Sequence, residues 1–249
     1  MAHLVNLCDG MARKPRIQTP GLIRHVMARG NGRMQIFLDD SDYRRFVFLF
    51  GEVVQEFDLE CWNYCVMPNH YHATLCPTRP NLSEAIRRLN SEYAQWWNSR
   101  HDRVGHVFQG RFKDQIVQRQ DYLLCLCRYV ALNPVRAQLC AKPEDWPWSS
   151  YAAIVGKQLR PPFLNVDSTL QHFGAGPVTT LQHRFADFVT SNADDQATMD
   201  RIRSNERILG DRPFKVAVTA GADGCAAVLR GAASTEVDAS AADAMNTVS

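Results

Sequence analysis

The chain has 249 residues, 45% of them apolar, and 28 lysines and arginines against 26 acids, a formal charge of +2. So large an apolar share can bury a full core plus an appendage, which excludes a wholly disordered chain. No run of eighteen apolar residues occurs and the first residues lack the order of a secretory signal, so no membrane span is expected and the expected location is cytoplasmic.

Residues 1–20 read as a flexible basic arm carrying Arg13, Lys14 and Arg16. An apolar run over 22–29, with Leu22, Ile23, Val26 and Met27, stops at Gly30-Asn31-Gly32 and reads as a first strand. Asp40 or Ser41 is expected to cap a helix that ends near Asp58, because Tyr43, Phe46, Val47, Phe50 and Val54 recur on one face. Residues 59–67 and 71–76 are two β-prone runs separated by Pro68-Asn69, the pattern of a hairpin. Asn81 and Glu84 have capping-box spacing, and Leu82, Ala85, Ile86, Leu89, Tyr93, Trp96 and Trp97 continue as the stripe of a second helix. A glycine-bearing stretch leads to a strand over 112–118, and Asp121 opens a third helix that Pro134 is expected to end near Asn133.

The order βαββαβα predicts an α+β domain over residues 21–150, ferredoxin-like or RRM-like, with helices on one face of an antiparallel sheet. A polar, proline-containing connection follows Pro147. It leads to a small helical C-terminal extension over 151–215, with helices expected at 179–191 and 198–209. Eleven of the 34 residues from 216 to 249 are alanine, so that segment is expected to be a flexible tail. Charge divides along the same line: residues 1–165 hold 21 basic against 15 acidic side chains (+6), and residues 166–249 hold 7 against 11 (−4), which fits a polyanionic partner for the first part. The eight cysteines lie mostly in apolar runs and read as reduced thiols.

His70 and His72 are two apart on a predicted strand, so both imidazoles share a face while Tyr71 points away. A shared divalent metal is one use of such a pair; two satisfied imidazoles is the other, and the pair alone does not decide. Adding Cys61 and Cys65 would make a four-ligand zinc set, but Cys-x3-Cys along one strand lacks the paired-knuckle spacing, and apolar neighbours suggest core thiols. On the third helix Tyr129 and Asn133 are four apart and lie one above the other. A phenol, with a pKa of about 10, needs help to become a nucleophile, and Tyr122 on nearly the same stripe could equally mark a half-buried aromatic face.

Three blocks, Arg24-His25-Val26-Met27-Ala28-Arg29-Gly30-Asn31, Val66-Met67-Pro68-Asn69-His70-Tyr71-His72, and Gly110-Arg111-Phe112 running on to Arg128-Tyr129-Val130-Ala131-Leu132-Asn133-Pro134-Val135-Arg136-Ala137, together resemble the REP-associated tyrosine transposases, single-tyrosine HUH enzymes. The resemblance spans roughly residues 11–150 and continues weakly at 208–214. It implies that His70 and His72 hold a divalent ion, Mg²⁺ or Mn²⁺, with Asn133 as third ligand, and that Tyr129 attacks DNA to leave a 5′-phosphotyrosine and a 3′-hydroxyl. It implies single-stranded hairpin DNA of REP type as substrate, an endonuclease and strand-transferase activity, and a monomeric enzyme. Arg29, Arg103, Arg111, Lys113, Arg119, Arg128 and Arg136, with the arm's Arg13, Lys14 and Arg16, are then expected to track phosphates, and Phe108 and Phe112 to stack on bases. Asn133 stands where related mobile-element enzymes usually carry glutamine, which favours the REP-associated group.

Three rival functions remain distinct: a non-catalytic hairpin-binding protein on the same fold, a replication-initiator or relaxase type of nuclease, and an RNA-binding sheet. The relaxase type calls for a different block order and the RNA-binding type for aromatics where the His-x-His strand lies.

Overall fold

A computed structural model of the chain describes residues 16–118, 121–191, 196–204 and 206–221. Arg13, Lys14 and Arg119, and the tail beyond residue 221, lie outside these residues. The framework is β1 (Ile23–Arg29), α1 (Asp40–Glu56), β2 (Leu59–Met67), β3 (His70–Pro77), α2 (Leu82–Arg100), β4 (Lys113–Val117) and α3 (Asp121–Arg136). The four strands stand in the order β2-β3-β1-β4, all antiparallel, the ferredoxin-like arrangement that the element order implied.

The period of two sorts the sheet into two faces. Val26, Tyr71, Ala73 and Leu75 point to α1 and α2: the Phe46 and Tyr71 rings lie 4.7 Å apart, and the Tyr71 hydroxyl donates to Asn90 Oδ1 at 2.9 Å. Each large apolar side chain sealed there contributes roughly 1.5–3 kcal/mol. The opposite face carries His25, Met27, Arg29, His70, His72 and Thr74, and α3 packs onto it. There Asn63 Nδ2 donates to Cys127 Sγ at 3.0 Å. Two helices therefore share one face as expected, while the third lies across the other.

Local signals were met with some changes. The cap of α1 is Asp39, whose carboxylate accepts from the amides of Ser41 and Asp42, in place of Asp40 or Ser41. The Asn81 side chain caps nothing; it donates to Phe57 O at 2.9 Å, so the expected capping box with Glu84 does not form. Pro134 sits inside α3, which runs on to Arg136. Its ring is tolerated because it lies in the last turn, where few further backbone bonds depend on it.

The C-terminal third closes both edges of the sheet. Beside β2, Val66 N donates to Trp148 O at 2.9 Å, Ser150 N to Tyr64 O at 2.9 Å, Asn165 N to Cys61 O at 2.7 Å, and Thr169 Oγ1 to Trp62 O at 2.8 Å. The polar connection read from sequence thus satisfies an otherwise exposed edge, and it includes α4 (Tyr151–Ile154) and α5 (Val166–Leu170), which sequence reasoning did not find. Beyond it come α6 (Val178–Thr190), close to the expected 179–191, and α7 (Gln196–Arg203). The single helix expected over 198–209 is corrected: α7 stops at Arg203, and β5 (Ile208–Leu209) joins β4 in parallel, making the sheet mixed. A last helix, α8 (Arg212–Thr219), buries Phe214 and Val218 against Leu22 and Ile116, so residues 216–219 are structured and not tail. Among the described residues no helix is long and apolar enough to cross a membrane.

Candidate active site

The hairpin between β2 and β3 sets the first part of the site. Pro68 O accepts from the amides of Ile36 and Phe37 at 2.9 and 3.1 Å, and Asn69 O from Gly30 N at 2.8 Å, so the turn is held where β1 ends. His70 follows at the first position of β3 and His72 two residues later, their rings perpendicular with centroids 4.9 Å apart. Asn69 Nδ2 donates to Arg33 O at 3.0 Å, which turns its Oδ1 toward His70 Nδ1 at 2.6 Å; His70 must donate there, leaving Nε2 as the free lone pair.

His72 is buried, and its Nδ1 lies 2.9 Å from His25 Nε2; His25 Nδ1 in turn lies 2.8 Å from Gln115 Oε1. His72 Nε2 has no hydrogen-bond partner. Burial, followed by the charge of Arg29, lowers the pKa of His70 to about 4. Burial also lowers His25 to about 4, against the opposing pull of its bond to Gln115, and takes His72 well below the ordinary histidine range. Near neutral pH all three rings are therefore uncharged, the form in which imidazole ligates metal.

From the other side α3 brings Tyr129. Its ring stands edge-on to His72 at 5.5 Å and to His25 at 6.1 Å. Tyr122, the other tyrosine of this helix, meets different chemistry: Arg201 donates to its hydroxyl and lies 4.8 Å over its ring. One turn beyond Tyr129, Asn133 has a buried Nδ2 without a partner; rotating that amide by half a turn would present its oxygen instead.

These features fit a divalent cation. Two neutral imidazoles keep Nε2 uncommitted, one of them buried and unsatisfied, and the nearby amide is unsatisfied too. Among the described residues no cluster of three histidine, cysteine or acidic side chains could hold a metal, so such a cation would keep open positions for a substrate oxygen or water. The zinc alternative fails: Cys61 and Cys65 are buried free thiols whose pKa burial raises, and Cys65 Sγ lies 3.7 Å from Met67 Sδ.

A cavity of about 780 Å³ opens on His25, His72 and Tyr129. Of the expected cationic residues, Arg16, Arg29, Arg111 and Lys113 line it. Arg203 and Arg207 line it as well and were missed, because nothing in the sequence shows that the segment after α7 returns to β4. Of the two carboxylates in the wall, Asp114 pairs with Arg24 at 3.1 Å and Glu206 with Arg201 at 3.0 Å.

Other expected contacts are not brought together here. Arg128 is only 2% exposed; its Nε donates to Phe188 O at 2.9 Å and its guanidinium lies 3.9 Å over the Phe188 ring, so it fastens α3 to α6 and its place among phosphate contacts is withdrawn. Arg103 lies over Trp97 at 5.7 Å, at the end of α2. Arg136 is 6.0 Å from the Tyr129 ring and donates to Met199 Sδ, near the site without lining the cavity. Phe108 and Phe112 are 9% and 7% exposed, and Arg16 covers Phe112 at 3.8 Å, so neither offers a face to a base.

Comparison with known proteins agrees with this layout. Residues 18–133 match the family model described as IS200-like transposase. The chain is similar to a solved REP-associated tyrosine transposase bound to a REP hairpin, with 20% sequence identity and a TM-score of 0.52 over 68% of this chain and 94% of that one, a likeness of fold. No curated protein matches the chain.

Proposed function

We propose, from the match of residues 18–133 to the IS200-like transposase model, that this protein is a metal-dependent single-strand DNA endonuclease and strand transferase acting at REP-type hairpins, with Tyr129 as nucleophile. One observation carries the reading: the Tyr129 ring meets the unsatisfied His72 edge-on, 5.5 Å away, above a cavity walled by six cationic side chains. The solved relative is bound to a REP hairpin, which supports a structured single strand as substrate.

In this reading Arg16, Arg29, Arg111 and Lys113, joined by Arg203 and Arg207, hold the phosphates on either side of the scissile one. Tyr129 Oη attacks phosphorus, the bond from phosphorus to O3′ breaks, and the phenolic proton is accounted for on the released 3′-hydroxyl. One phosphodiester becomes a 5′-phosphotyrosine, so the bond energy is kept, and attack by another 3′-hydroxyl reseals the strand without ATP. His70, His72 and Asn133 would hold Mg²⁺ or Mn²⁺, which when bound polarises the phosphate and stabilises its developing charge. His70 and His72 serve this as neutral bases.

Labelled single-stranded hairpin DNA from the protein's own genome, incubated with Mg²⁺ or Mn²⁺, tests the proposal. A covalent protein–DNA adduct that needs the metal and vanishes in Tyr129→Phe is the expected result. Tight hairpin binding with no adduct across a panel of sequences would instead make this a binding protein on a transposase fold.

A further inference from the structure

Four groups form a line from the C-terminal third into the site. The Gln115 amide nitrogen donates to two backbone carbonyls, Glu206 O at 2.9 Å and Ser204 O at 3.4 Å, both in the segment between α7 and β5. Those two acceptors fix the orientation of the amide: reversed, its oxygen would face two carbonyl oxygens with no proton between them. Gln115 Oε1 therefore faces His25 Nδ1, 2.8 Å away, and can only accept, so His25 carries its proton on Nδ1. A neutral imidazole has one proton, which makes His25 Nε2 an acceptor, and His72 Nδ1 at 2.9 Å must be its donor. His72 is left with a bare Nε2, the buried atom that has no partner.

We propose that Gln115 and His25 are positioning residues that lock His72 in the Nδ1–H tautomer and so present its Nε2 lone pair for metal binding. The inference rests on the reading of His72 as a ligand given above. It assigns the docking of the α7–β5 segment onto β4 a part in the chemistry, since the carbonyls of Ser204 and Glu206 start the line. His25 itself is not a ligand, because both its ring nitrogens are committed. His70 is set independently by Asn69, so the two ligands are oriented from opposite ends of the site. Hydrogen-bonded partners of this kind ordinarily change metal affinity 10–100-fold when removed.

Long-range ¹H–¹⁵N correlation of the histidine rings in the full-length, metal-free protein reads the tautomers directly. His25 and His72 are both expected to carry the proton on Nδ1. In Gln115→Leu, His72 is expected to lose its single tautomer and Mn²⁺ to bind 10–100-fold more weakly, with circular dichroism reporting whether the variant remains folded. A proton on His72 Nε2 in the wild-type protein overturns the inference without any variant, and Mn²⁺ binding in that same sample leaves the metal reading standing. Gln115→Leu with tautomer and affinity both unchanged overturns it as well. If the tautomers are as expected but Mn²⁺ fails to broaden the His72 ring signals, the metal reading falls and the proposed purpose of the relay falls with it.

Discussion

Tyr122 and Tyr129 occupy the same helix, and what separates them is the partner each hydroxyl and ring meets. Tyr122 is engaged by Arg201, whereas Tyr129 faces His25 and His72. Tyr122→Phe is therefore expected to keep the covalent DNA adduct and to cost about 1 kcal/mol of stability from the lost hydrogen bond, measured by urea denaturation; loss of the adduct would move the nucleophile. The buried histidines predict a pH dependence with a definite sign. The pKa of His25 falls from 6.5 to about 4, mainly through burial, and that of His70 does likewise. Between those values the unfolded chain binds protons that the native one refuses, so their contribution is complete above pH 6.5 and is lost as the pH falls. Unfolding free energy of the metal-free protein should drop by about 1.5 kcal/mol per histidine between pH 6.5 and 5, above the carboxylate range, and a flat profile there would contradict the burial. His70, His72 and Tyr129 were legible because spacing of two on a strand and four on a helix shows within a few residues of chain. His25 and Gln115 were not, since their roles depend on register between β1, β3 and β4, 47 and 90 residues apart.

At the scale of elements, local periodicity placed β1 to β4 and α1 to α3 within a few residues; helix ends were misread by a residue or a few, and the larger misreadings concern what depends on distant partners. Arg128 is the clearest case. Read along α3 it belongs to a basic face, but the carbonyl that holds it, Phe188 O, arrives from α6 sixty positions later. Arg128→Met should therefore lower stability by about 2–3 kcal/mol through the lost charged hydrogen bonds to Phe188 O and Ser191 Oγ, and leave the salt dependence of hairpin binding unchanged. Arg111→Ala should do the reverse, with stability held and the slope of log K against log salt shallower by about 0.7. Denaturation and binding titrations on the two variants separate a fastener from a phosphate contact. A further element-level device is Gly30, where a Cβ would stand 2.3 Å from Met34 O, too close for any other residue unless the loop that anchors the β2–β3 turn moves. The Gly-Asn-Gly signal was legible as a turn, whereas the close approach that demands glycine at its first position was not.

For the whole molecule, charge along the sequence placed the excess that fits a polyanionic partner in the first part and left the last part net acidic. The fold mixes the two: α7 packs on α3, β5 extends the sheet beside β4, and Arg203 and Arg207 enter the same cavity as Arg16, Arg29, Arg111 and Lys113. The acidic side chain of this part that lines the cavity is spent internally, as Glu206 pairs with Arg201 and Lys215. This arrangement makes a quantitative claim about binding. If all six cations neutralise phosphates of a single strand, the slope of log K against log salt is about −4, at 0.7 per contact. The two from the C-terminal third account for about 1.4 of that. A variant combining Arg203→Ala and Arg207→Ala should therefore weaken hairpin binding most at low salt and flatten the slope by that amount, while the first-part contacts keep the register of the strand. A slope identical to that of the wild-type protein would mean that the last third only covers the sheet edge and sets Gln115, without touching the DNA.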